Sequence, residues 1–108
     1  MAQRRMFSKR VTESGRFLLL SHEAQLVYFH MGMIADDDGF ADCFFIIRAL
    51  EVSDETIAEL IEKGFIEEVN VPFCDCIYHI SHWSENNQVR KDRYTPSMYA
   101  DYIQQSAL

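Results

Sequence analysis

The sequence predicts an α+β fold, a winged helix-turn-helix of three helices followed by a β-hairpin wing. Three observations carry this expectation. Apolar residues recur at helical spacing behind two serines, Ser21 and Ser53. After Gly64 the period becomes strand-like. With 108 residues the chain is one domain with room for a single small core. Three helices and a hairpin, each with one apolar face to cover, can pack in few other ways.

Residues 1–20 read as a basic N-terminal arm, partly ordered, with Met6, Phe7 and Val11 as anchors and a short apolar run at Phe17–Leu20. The winged-helix core is expected over residues 21–83. Ser21 caps a helix at roughly 22–35, in which Leu26, Phe29 and Met33 line one flank and Val27, Met31 and Ile34 the next. Asp36-Asp37-Asp38-Gly39 ends it in a turn, with one aspartate making a local side-chain-to-backbone bond. A second, shorter helix fits Asp42–Leu50, although Phe44–Ile47 reads equally well as strand. The third helix is the clearest. Ser53 caps it, Asp54 and Glu55 fill its positive first turn, Ile57, Leu60 and Ile61 form the stripe, and Lys63-Gly64 closes it.

Phe65–Val71 and Cys76–Trp83 follow as strands joined around Pro72 and Asp75. In the second, Ile77, His79 and Ser81 face one way and Cys76, Tyr78, Ile80 and His82 the other. Residues 84–108 form a basic, aromatic extension that turns weakly helical from Pro96.

Charge is unevenly placed. Of ten Lys and Arg residues, Arg4, Arg5, Lys9, Arg10 and Arg16 lie in the first sixteen positions, and Arg90, Lys91 and Arg93 cluster after the single tryptophan. Residues 17–89 hold only Arg48 and Lys63 against fourteen Asp and Glu, a formal charge of −12. An acidic body with basic margins suits a polyanion gripped at its edges, so the net charge of −7 does not exclude nucleic acid. It does exclude a uniformly basic coating protein. The third helix sits where a base-reading helix would, yet Asp54, Glu55, Glu59 and Glu62 would repel phosphate there. The candidate DNA-binding residues are therefore Arg4, Arg5, Lys9, Arg10, Arg90, Lys91, Arg93 and Tyr94, the last as a stacking platform.

Other chemistries find little support. Cys74, Cys76, His79 and His82 are zinc-ligand types, but alternation along a strand turns His79 away from the other three. The aspartate run lacks the alternation and distant Glu of a calcium loop. No nucleophile–base pair and no phosphate-cradling glycine loop is present, so no enzyme and no cofactor is expected. No apolar run exceeds five residues, which excludes a transmembrane helix, and three cysteines without a paired framework point to the cytoplasm.

One resemblance spans residues 4–96. Arg4-Arg5-Met6-Phe7-Ser8, Tyr28-Phe29-His30, Ala35-Asp36-Asp37-Asp38-Gly39-Phe40, Lys63-Gly64-Phe65-Ile66, His82-Trp83, Asn87, and Lys91-Asp92-Arg93-Tyr94 with Pro96 occur in the expected order. On these the chain resembles the N-terminal domain of phage replisome organisers, the DnaD-like replication initiation proteins of Gram-positive bacteria and their phages. The resemblance implies a winged-helix domain that binds duplex or single-stranded DNA and helps assemble an initiation complex. It also implies a homodimer or larger assembly, and replication partners such as a helicase loader. Two departures stand out. The second helix is apolar with only Arg48 basic, and the wing is lengthened by Phe73-Cys74-Asp75-Cys76. Both weaken DNA contact by the helix-turn-helix face and favour an apolar patch of Phe44, Phe45 or Phe73 for a protein partner. The alternatives are a protein–protein oligomerisation module without DNA binding and a winged-helix transcriptional regulator.

Overall fold

A computed structural model of the chain describes residues 5–87 and 94–102. The fold is α+β: the described residues form six helices and a small three-stranded antiparallel sheet. In chain order come α1 (Lys9–Thr12), α2 (Gly15–Leu18), α3 (His22–Ile34), β1 (Phe40–Asp42), α4 (Phe44–Ala49), α5 (Asp54–Glu62), β2 (Ile66–Glu68), β3 (Ile77–Ile80) and α6 (Trp83–Asn86).

The two long helices form for the reasons their sequences suggest. Ser21 Oγ accepts the Ala24 amide at 3.1 Å, and Ser53 Oγ accepts the Thr56 amide at 3.3 Å. The helices also cap each other. Glu59 of α5 accepts the amide and the hydroxyl of Ser21, and Glu23 of α3 accepts the amide of Ser53. Each carboxylate thus sits at the positive end of the neighbouring helix. The bonds from Gly64 N to Ile61 O and from Phe65 N to Leu60 O close α5.

Other elements differ from the sequence reading. Asp42 belongs to a strand rather than to a helix, because β1 pairs with β3 in the register Phe40↔His79 and Asp42↔Ile77. The two expected strands are shorter, and Trp83 opens α6 instead of ending a strand. Residues 9–18 form two single-turn helices, each capped by a serine: Ser8 accepts from Arg10 N and Ser14 from Phe17 N. They are core elements, since Val11, Phe17 and Leu20 are buried. Met6, read as an anchor, is exposed.

The main core lies between the helices and one face of the sheet. Phe7, Phe17, Tyr28, Phe29 and Phe65 meet there edge to face or tilted, with centroids 5.0–6.2 Å apart. The opposite face of the sheet is covered too. Phe40, Val69 and Ile77 pack against Val71 of the β2–β3 loop and against Tyr99 and Tyr102 of the tail. Tyr78 and Ile80 face the main core, so β3 is buried on both sides apart from His79. The tail itself makes turns over residues 98–101.

Candidate functional site

The residues singled out for DNA contact separate into distinct environments. Arg4, Arg90, Lys91 and Arg93 lie outside the described residues. Arg5 is not a surface cation. Its side chain is 3% exposed, and Nη2 donates to Asp37 Oδ1 at 3.0 Å and to the Ala35 carbonyl at 2.7 Å. Its guanidinium also lies 5.3 Å from the centroid of the Trp83 ring. A cation so held is a structural part of the interior; Nη1 has no hydrogen-bond partner among the described residues but is buried. Tyr94 is exposed, but its hydroxyl donates to the Asp38 carboxylate, which raises the phenol pKa.

Lys9 and Arg10 do remain at the surface, on α1. The fold brings Arg10 beside Arg16, a residue counted in the basic margin but left out of the candidate contacts. Arg10 and Arg16 line one cleft of about 260 Å³ together with Ser14, His82 and Glu85 over Val11 and Phe65. Arg16 Nη2 donates to the carbonyl of Lys63 at 2.5 Å, which brings the C-cap of α5 to the same corner. The one carboxylate there, Glu85, stands 3.7 Å from Arg10, and both side chains are half or more exposed. Such a pair is worth about 0–1 kcal/mol and leaves the guanidinium available. In sequence, Arg16 and Lys63 are 47 residues apart. Only the docking of α2 against the end of α5 reveals the cluster.

The described residues that precede and follow Arg90, Lys91 and Arg93, namely Asn86-Asn87 and Tyr94–Ser97, are bonded to the body. Asn87 accepts the Met6 amide at 2.8 Å and donates to the Met6 carbonyl, while its neighbour Asn86 accepts the Ser8 amide and donates to Tyr28 Oη. On the far side, Tyr94, Thr95 and Ser97 bind the aspartate loop. Asp37 Oδ2 accepts Thr95 N, Asp38 Oδ2 accepts Ser97 N, and the Ser97 hydroxyl donates to Asp36. Asp36 Oδ1 meanwhile takes the amides of Asp38 and Phe40, the local turn bond the sequence suggested. The three aspartates thus form a clasp on Arg5 from one terminal segment and on residues 94–97 from the other.

Gly39 is required beside this clasp. Its φ is +88°, and a Cβ there would stand 2.5 Å from Trp83 Cγ. The Trp83 indole nitrogen donates to the Asp37 carbonyl at 2.8 Å, which fixes ring and loop together.

The face around α5 is acidic. Asp54, Glu55 and Glu62 are exposed, whereas Glu59 is held by Ser21. Phe44 and Phe45 of α4 are exposed, the latter 81%, and Phe73 at the loop before β3 is fully exposed with φ +65°. On α3, Leu26, Phe29, Met33 and Ile34 are at least one-third exposed beside the buried Val27, Tyr28 and Met31.

The cysteines and histidines of the zinc-like run do not converge. His79 Nδ1 bonds Glu67 at 2.9 Å and Nε2 bonds the Asp38 carbonyl, while Cys74 is exposed on the loop. Among the described residues no group of three or more His, Cys, Asp or Glu is placed to hold a metal ion, and no helix is long and apolar enough to cross a membrane. No family model, curated protein or solved structure matches the chain.

Proposed function

We propose that the chain is a winged-helix domain of a DnaD-like phage replication initiation protein and that it grips nucleic-acid phosphates at its basic corner. The observation that carries this reading is the cleft that Arg10 and Arg16 line together on an otherwise acidic body, with Lys9 exposed on the same short helix as Arg10 and the Lys63 carbonyl bonded to Arg16. Phosphate contacts reward local cation density whatever the net charge. The order α3-β1-α4-α5-β2-β3, with β3 between β1 and β2, is the element order of a winged helix and supports the fold assignment. Acidic α5 turns the usual base-reading position away from DNA, so binding is expected to be sequence-tolerant. The same acidic helix argues against an operator-reading regulator.

Chemical-shift mapping of the full chain with a duplex oligonucleotide tests this. Perturbations should centre on residues 9–16, 63 and 82–85. Shifts centred on α5 and the loop before β3 would overturn it.

A second reading, an assembly module, is favoured by α3. That helix carries apolar residues beyond its buried face, and Leu26 and Met33 among them are about half exposed. The two readings are compatible, since the exposed α3 face and the basic corner use different residues.

A further inference from the structure

A second cleft, of about 400 Å³, lies between α4, α5 and the β2–β3 hairpin. Val52, Ile57 and Ile61 line it with aliphatic surface, and Ile61 is 37% exposed. Asp54, Glu68 and Asp75, all exposed, line it with carboxylates. None of the three is in an ion pair among the described residues, and no Lys or Arg lines the cleft. The negative field reaches the groups inside. Burial chiefly pushes the Tyr78 phenol up to about 12, with Cys76, Glu68, Cys43 and Asp54 adding to the rise. The Arg48 guanidinium of α4 is stacked 4.4 Å from the centroid of the Phe44 ring.

This combination rejects a phosphate backbone and complements a cationic protein segment. Ile57 and Ile61 are one turn apart on α5, the spacing at which i and i+4 side chains of a second helix interlock. We propose that this cleft docks a basic amphipathic helix of a partner protein, its aliphatic stripe on Val52, Ile57 and Ile61 and its cations on Asp54, Glu68 and Asp75. Charge complementarity selects the occupant, and the apolar lining supplies the holding energy. The inference goes beyond the phosphate-binding reading and does not depend on it.

The test titrates the full chain against a fluorescein-labelled helical peptide of Leu and Lys, about four turns long, with its Leu residues on one face. A scrambled peptide of equal composition and a Gln-for-Lys peptide serve as controls. Saturable binding of the amphipathic peptide is expected, with both controls at least about tenfold weaker. Ile61→Ser and the combined Asp54→Asn, Glu68→Gln, Asp75→Asn variant should each weaken it by a similar factor. All these replacements are at exposed positions, and circular dichroism checks that the variants fold. Equal binding of the scrambled peptide, or unchanged binding by the folded variants, would overturn the proposal. Duplex DNA affinity of the neutralised variant should stay equal or rise, whereas a fall would make the cleft a nucleic-acid face and overturn it as well. Failure of the wild-type chain to bind DNA would sink the phosphate reading while leaving this one standing.

Discussion

Replacing Arg5 with Met would remove the guanidinium that is bonded to the Asp37 carboxylate, a carboxylate that is 0% exposed. The substitution keeps most of the aliphatic stem and removes the guanidinium bonds to Asp37 and to the Ala35 carbonyl, together with the stacking on Trp83. Breaking a buried ion pair from one side costs about 3–5 kcal/mol, because water cannot replace the lost partner; Asp37 keeps other partners, Thr95 among them, so the lower end of that range is expected. Small domains hold roughly 5–15 kcal/mol in total, so this loss removes a large share of the stability. Asp37→Asn should cost a comparable amount. The two together should cost clearly less than their sum, with a coupling of about 1–3 kcal/mol. Urea unfolding followed by the fluorescence of Trp83, the only tryptophan, reads all four corners of the cycle. If Arg5→Met costs under about 1 kcal/mol while nucleic-acid binding falls, Arg5 is a surface group and its burial against Asp37 is refuted.

Gly39→Ala places a Cβ against Trp83 in a left-handed backbone; strain and overpacking together should cost about 2–5 kcal/mol by urea unfolding, and a cost near zero would contradict the geometry. Cys74 should react promptly with a thiol reagent and Cys43 only as fast as the chain unfolds, since Cys43 is fully buried and burial, more than Asp42 or Cys76, pushes its thiol up to about 12. The fold therefore favours the protonated thiol, a contribution that is full below the ordinary value of 9.0 and lost as pH rises through about 12. Stability should decline above pH 9, and Cys43→Ala should flatten the first part of that decline. Asp38→Ala removes the acceptor for Tyr94 and Ser97, and hydrogen exchange should quicken over residues 94–102 while α3 stays protected.

How much of this was readable in the sequence depends on how local each cause is. Both long helices were, because their serine caps, apolar stripes and terminators all lie within them. The single-turn helices α1 and α2 were not. Val11, Phe17 and Leu20 reach the core without any helical period, and four-residue helices owe their existence to tertiary packing. Strand β1 escaped notice for a related reason, since three residues become a strand only by pairing with β3, far along the chain. The alternation read along β3 holds, with Tyr78 and Ile80 on the main core and Ile77 on the other face; that the tail covers this second face had no local signal.

The candidate site divides in the same way. Counting charges located the basic margin but not its burial, and Arg5 and Arg10 look alike until Asp37 claims one of them. A signal was present, though. Three consecutive aspartates cannot all be buried or satisfied by a turn alone, and their natural partners were the Arg and hydroxyl residues of the two terminal segments. The pairing of Arg16 with the end of α5 had no such local signal.

Phosphate gripping at the basic corner is tested most directly by anisotropy of a labelled duplex titrated with the chain at several salt concentrations. The wild type is compared with a variant combining Lys9→Gln, Arg10→Gln, Arg16→Gln and Lys63→Gln. Wild-type binding should fall steeply with salt, and the slope should be smaller in the variant by about one for each phosphate it no longer neutralises. An unchanged slope and affinity in a folded variant would contradict the assignment and place the phosphates elsewhere on the chain.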